Sequence, residues 1–193
     1  MKKAAVRNIS EDLVISVTNT YTPVKNRSHY PHSHDFLELY IHISGEAEYM
    51  VENMIWPIDY GSVVITRENE LHCIRMTEND VLQNVYCGFE RGLFENFAPE
   101  LLSCFDDRAL GQRCVISLPY DMADRCVEKL FEAGRAMDDM TPLGICEGRA
   151  EFMSVLAEVN RVWENEGVFN TTGGVRYNAG SMLAGRALAL INK

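Results

Sequence analysis

The chain has 193 residues, is 47% hydrophobic and 24% charged, and carries 28 acidic against 18 basic residues for a formal net charge of −10. That length suits one domain with an appendage better than two full domains, and the apolar share is enough for a real core. The acidic balance repels phosphate backbones and makes these residues a poor candidate for gripping DNA directly, and no apolar run is long enough to cross a membrane.

The first stretch, to about Asp12, holds Lys2, Lys3 and Arg7 with no apolar run behind them. It reads as a disordered arm able to cover a pocket, not as a signal peptide, so the chain is expected in the cytoplasm. From about Leu13 to Phe89 short strands alternate with turn residues. Leu13–Val17 is a β-branched run, and Tyr21–Val24 is a second, set at an edge by Pro23. Asn26-Arg27-Ser28 breaks the chain. From His32 to Ser44, His32, His34, Glu38, Tyr40 and His42 share one face, while Leu37, Leu39, Ile41 and Ile43 share the other. Gly45-Glu46 turns into a hairpin partner, Ala47 to Glu52. Met54–Trp56, Ser62–Thr66, His72–Met76 and Leu82–Phe89 follow, with turns at Gly61, at Arg67–Glu70 and at Glu78–Asp80. Short strands at this regular spacing signal a sandwich or small barrel, not a parallel α/β sheet.

After Phe89 the period changes. Arg91–Leu102 reads as short helical turns interrupted by Pro99, and Val115–Leu118 as a last strand or an extended connector. A helix starts at Pro119, with Met122, Cys126, Val127, Leu130, Phe131 and Met137 recurring at three and four. Thr141–Gly144 breaks it. A second helix, about Ile145 to Glu164, lines up Phe152, Val155, Leu156, Val159, Val162 and Trp163. The bland reading of that stripe is packing against the outside of the barrel. Gly167–Gly180 reads as a flexible connector, and Ser181–Asn192 as the start of a further helix. The six cysteines (Cys73, Cys87, Cys104, Cys114, Cys126 and Cys146) show no C-x-x-C pair and read as small core residues.

The chemistry gathers on the polar face. His32, His34 and Glu38 are donors that a transition metal uses, and His72 on a later strand supplies a fourth. The same groups equally make the polar wall of a pocket for a hydroxylated small molecule. Tyr40 and His42 share the Glu38 face, and Tyr49, Trp56 and Tyr86 are aromatics on neighbouring strands. Each alone is more often core; together they read as pocket lining.

His32-x-His34-x-x-x-Glu38 with Gly45 resembles the first motif of the cupin superfamily, with Asn26 where that motif has glycine. Gly61, Arg67, Asn69, His72 and Met76 match the second motif in spacing, with Arg67, Asn69 and Met76 in place of its proline, glycine and asparagine. The resemblance implies that His32, His34, Glu38 and His72 occupy the metal-ligand positions, for Zn²⁺, Ni²⁺ or Fe²⁺. The wider layout is similar to the regulatory half of AraC-type transcription regulators, with Arg186-Ala187-Leu188-Ala189-Leu190-Ile191-Asn192 resembling the helix that opens their DNA-binding module.

The resemblance implies a mainly β fold with C-terminal helices: a cupin-type (double-stranded β-helix, jelly-roll) barrel plus an α-helical dimerisation segment. Residues 1–118 would be the effector-binding barrel with its arm, 119–166 the dimerisation helices, and 167–193 a linker and the start of a DNA-binding module beyond Lys193. It further implies a small effector, often a sugar or other polar metabolite, no catalysis, and a homodimer seamed by Phe152, Val155, Leu156, Val159, Val162 and Trp163. The competing reading is a metal-dependent cupin enzyme, a dioxygenase or isomerase, using His32, His34, Glu38 and His72.

Overall fold

β-Branched and aromatic residues alternating with polar ones suit a pleated surface buried on one side. In the computed structural model, which describes residues 7–9, 12–19, 30–76, 82–138, 140–166 and 175–176, the first half of the chain is accordingly two antiparallel sheets. The strands are β1 (Arg7–Ile9), β2 (Leu13–Asn19), β3 (Leu37–Ser44), β4 (Ala47–Val51), β5 (Met54–Ile58), β6 (Ser62–Thr66), β7 (His72–Met76) and β8 (Gln83–Phe89). β9 (Val115–Ser117) and β10 (Val175–Arg176) come later in the chain. One sheet runs β1-β2-β8-β3-β6-β9 and the other β10-β5-β4-β7. They are the two walls of a cupin-type barrel.

Register decides which side chains face inward. In β3, Glu38 lies between Thr66 and Gly88, and Tyr40 between Val64 and Tyr86. Tyr40 and Val64 meet Ala47, Tyr49, Val51, Trp56 and Ile74 of the opposite sheet in one inner apolar cluster. The alternate residues Leu37, Leu39, Ile41, Val63, Ile65, Val85 and Cys87 point outward, where the helices cover them.

Pro119 precedes α2 (Tyr120–Met137), and Pro142 opens α3 (Pro142–Glu166), the position where a fixed φ and a missing N–H are cheapest. A short α1 (Ser103–Asp106) leads towards β9. Gly144 and Gly148 let α3 start hard against the end of α2: a Cβ on Gly144 would lie 2.1 Å from Ala136 O, and one on Gly148 2.5 Å from Met137 Cγ.

The α3 stripe is used up within the chain. Phe152, Val155, Leu156 and Val159 are fully buried, Trp163 is 4% exposed, and Val162 packs partly buried against them. All join the cluster that holds Leu37, Leu39 and Ile41, because the outer face of the larger sheet needs an apolar cover. Of the six residues expected as a dimer seam, Phe152, Val155, Leu156, Val159 and Trp163 are thus buried against the barrel within this chain, and Val162 keeps partial exposure.

Other expectations shift at their edges. The strand read from His32 begins at Leu37. The arm is not wholly without structure, since Arg7–Ile9 pairs with β2. Within the stretch read as a connector, Val175 and Arg176 pair with Ile55 and Met54 of β5. Tyr21–Val24, Asn26 and Ser181–Asn192 lie outside the described residues. Among those described, no helix is long and apolar enough to cross a membrane.

Candidate functional site

The segment ahead of β3 is laid against β7 by backbone bonds in both directions. His32 N donates to His72 O at 3.0 Å, and His72 N to His32 O at 2.9 Å. Asn69 N donates to His34 O at 2.7 Å. Asn69 holds φ 60°, the left-handed region that glycine favours, so asparagine fills the role of the motif's glycine here. These contacts bring the ring of His72 to 4.5 Å from that of His32 and 4.9 Å from that of His34.

The three histidines are also oriented. His32 Nδ1 lies 3.0 Å from Tyr30 O, His34 Nδ1 3.0 Å from Phe36 O, and His72 Nδ1 2.9 Å from Glu70 O. A carbonyl only accepts, so each Nδ1 carries a proton and donates. The lone pair of a neutral ring then sits on Nε2, the arrangement that backbone partners impose on metal-binding imidazoles. One ligand atom from each of His32, His34 and His72 falls within 4.8 Å of the others. The donor set fits a divalent transition metal.

Glu38 completes the group from one side. Its Oε2 lies 2.9 Å from His34 Nε2 and 3.3 Å from His72 Nε2, and its Oε1 accepts from Tyr49 Oη at 2.8 Å. The His72 approach is within ion-pair reach but off the line of a hydrogen bond, so that nitrogen, on a ring 1% exposed, stays unsatisfied. With Nδ1 protonated, a lone pair facing a carboxylate requires either a second proton on the ring or a cation between them.

Electrostatics agree. Burial alone would raise the Glu38 carboxyl, but the charge of His72 and the hydrogen bond from His34 outweigh it and hold the group well below the usual carboxylate range. Burial pulls His72 down, yet Glu38 wins and raises it. His32 is lowered, by burial first and by the charge of His72 second. Burial and then the Glu38 charge push the Tyr49 phenol well up, so it stays a donor.

The remaining sequence-derived residues separate. Tyr40 lies in the inner cluster and donates to His42 Nδ1 at 3.1 Å. His42 Nε2 donates to Gly45 O at 2.7 Å across the β3–β4 turn, so both nitrogens are spent within the fold. Trp56 is buried in the barrel and lines a 260 Å³ cavity with Asp59, Ser62 and Ser117, apart from the histidines. Tyr86 lines a larger, 360 Å³ cavity with Val14, Asp35, Phe36, Glu68 and Gly88. Phe36 belongs to both places, since its ring also stacks on His34 with centroids 3.7 Å apart. Gly88 makes that closeness workable: a Cβ there would lie 2.6 Å from Tyr86 Oη and 2.9 Å from Phe36 Cε2.

Sequence reasoning missed Phe36, although it sits beside the histidine pair. It also missed Glu70 and Arg108, which carry no local signal. Arg108 donates to both Glu70 oxygens, at 2.8 and 2.6 Å, and the backbone of Glu70 in turn orients His72.

No family model and no curated protein matches the sequence. Among solved structures, the AraC-like transcriptional activator CuxR aligns over 94% of this chain and 60% of its own, at 15% identity and a TM-score of 0.53. Apo ToxT K231A from Vibrio cholerae strain SCE256 aligns over 96% of this chain and 66% of its own, at 11% identity and a TM-score of 0.54. The chain therefore spans less than two thirds of either protein. A cupin superfamily protein from Desulfitobacterium hafniense DCB-2 aligns over 42% of this chain and 71% of its own, at 15% identity and a TM-score of 0.37. By fold, the chain is a cupin-type β-barrel followed by helices, arranged as in the AraC-like activator CuxR and in ToxT.

Proposed function

We propose that this chain is the effector-sensing part of a cytoplasmic AraC-type transcription regulator, with the DNA-binding module following Lys193. The observation that carries this reading is that the likeness to CuxR takes in the barrel and its covering helices together, over 94% of the chain. The divisions at 118 and 166 belong to the same reading. So does pairing of two copies through the helical segment, on a face other than the buried α3 stripe.

His32, His34 and His72 would hold a divalent metal such as Zn²⁺, Ni²⁺ or Fe²⁺ through their Nε2 atoms, with Glu38 as fourth donor or neutralising charge. A metal bound there supplies a fixed positive charge for an effector's oxygen. The 360 Å³ cavity behind Phe36 is the effector chamber. Asp35, Glu68 and Glu90 accept from hydroxyls, and Phe36 and Tyr86 offer faces for a sugar or similar polar metabolite. Such an effector acts by binding one arrangement of barrel and helices better than another.

A thermal-shift screen of sugars and organic acids, with and without Zn²⁺, tests this. A ligand at a hundred times its Kd adds about 2.7 kcal/mol, a shift of several degrees. The absence of any stabilising compound in a broad screen overturns the effector reading. The competing reading, a metal-dependent cupin dioxygenase or isomerase, draws on the same three histidines and carboxylate. Loss of a hit compound over time in the incubated mixture, followed by NMR, selects the enzyme.

A further inference from the structure

A buried ion pair is costly in a core where apolar side chains of the same volume would serve. This chain nevertheless buries Arg108 and Glu70 together, with both side chains fully covered. Glu70 is held four times over: by Arg108 Nη1 at 2.8 Å, Arg108 Nη2 at 2.6 Å, Gly111 N at 2.7 Å and Arg67 N at 3.1 Å. Its carbonyl is the group that orients His72. From the other side, Arg108 Nη2 donates to Ile65 O of β6 at 2.9 Å, and Nε donates to Cys104 O of α1 at 3.2 Å.

The chain of contacts does not stop at α1. Cys104 N donates to Asn160 Oδ1 at 2.9 Å, and Asn160 Nδ2 donates to Leu156 O and Leu101 O, both at 2.9 Å. Asn160 is a buried polar residue on α3, the helix that also carries the buried Phe152, Leu156, Val159 and Trp163. The bonds from Arg108 to Glu70 and to Cys104 O, and from Cys104 N to Asn160, are direct and lie between buried groups. The run goes from His72 of the histidine cluster, through a clamped loop and a buried arginine, into the helix that covers the outer face of the barrel.

We infer that Glu70, Arg108 and Asn160 are positioning residues that couple occupancy of the histidine cluster to helix α3. The inference rests on reading His32, His34 and His72 as a metal site. A metal on His72 fixes its ring, the ring fixes the Glu70 carbonyl, and Arg108 carries that constraint to Cys104 and Asn160. Coupling of this kind is reciprocal: whatever favours one setting of α3 changes metal affinity by the same factor.

The test uses the full chain, Co²⁺ as probe and visible absorption to record binding, with hydrogen exchange followed separately in α2 and α3. In the parent protein Co²⁺ should slow exchange in α3 about five-fold or more beyond its effect in α2, which lies off the network. Asn160→Leu keeps the volume and leaves the cluster untouched. It should still bind Co²⁺ but lose the extra slowing in α3. The paired variant Glu70→Met/Arg108→Met leaves no lone buried charge, and should bind Co²⁺ about ten-fold or more weaker and also lose the α3 effect. If Asn160→Leu fails to fold by circular dichroism, the paired variant decides. No Co²⁺ binding by the parent sinks the metal reading and this inference with it. Normal binding with equal slowing in α2 and α3, or an α3 effect that survives the variants, leaves the metal reading standing and overturns the coupling alone.

Discussion

At the scale of single residues, the site is defined less by its donors than by what holds them. His32, His34, Glu38 and His72 were legible because the chain has only five histidines and because His32, His34 and Glu38 fall at even spacing. Their orientation was not legible, since the bonds that set it run to the backbone carbonyls of Tyr30, Phe36 and Glu70, which no residue type announces. Tyr49 shows the same limit. It reads as an aromatic for stacking, and its hydroxyl instead donates to Glu38 Oε1. Removing that hydroxyl in Tyr49→Phe leaves the ring and its packing in place. Titration followed by cobalt absorption should show Co²⁺ affinity falling about 10- to 100-fold, the usual cost of losing a partner behind a ligand. Unchanged affinity would mean that Glu38 does not take part in holding the metal.

At the scale of elements, alternation in β3 and the three-and-four spacing in α3 were enough to place both, because each buries one face against a broad apolar surface. What the α3 stripe packs against was not decided by its pattern. An apolar stripe looks the same whether it meets the parent barrel or a second chain, and only the outward set of Leu37, Leu39 and Ile41 resolves it. Phe152 makes the point testable. Its ring meets Phe89 edge-on at 5.0 Å and lies 5.9 Å from Phe94. Phe152→Ala should cost about 3–5 kcal/mol in urea unfolding. Sedimentation should give the same oligomeric state for the folded variant as for the parent. A change of state with little loss of stability would return the stripe to the role of a seam.

At the scale of the whole molecule, two tests ask whether the interior is as closed as the sheets and helices make it. The first is acid unfolding. Glu38 and Glu70 are both held below the ordinary carboxyl range, Glu70 against burial by hydrogen bonds and charge from Arg108 and by the backbone of Gly111 and Arg67. A depressed carboxyl contributes stability that is complete above its unfolded value, near 4.3, and is lost as pH falls through its folded value. Urea titrations should therefore show stability dropping below about pH 4. Glu70→Met/Arg108→Met should flatten that limb by about one proton. A limb unchanged in the variant would remove Glu70 from the account.

The second test counts thiols. Scattered cysteines without short spacing were readable as core, and the fold buries Cys73, Cys87, Cys104, Cys114 and Cys126 on both faces of the sheets and under α2 and α3, leaving Cys146 exposed. Burial pushes the Cys73 thiol up to about 11, the Cys114 and Cys126 thiols up to about 12, and those of Cys87 and Cys104 higher still. A disulfide reagent attacks only the thiolate, and needs a path to it. At about pH 8 the native protein should release one equivalent of chromophore quickly, from Cys146, and all six only after guanidinium is added. Replacing Cys146 with serine should abolish the fast equivalent. A second fast thiol would show that the barrel or its helical cover opens in solution. Its identity would tell which wall moves: Cys73 belongs to the smaller sheet and Cys126 to α2.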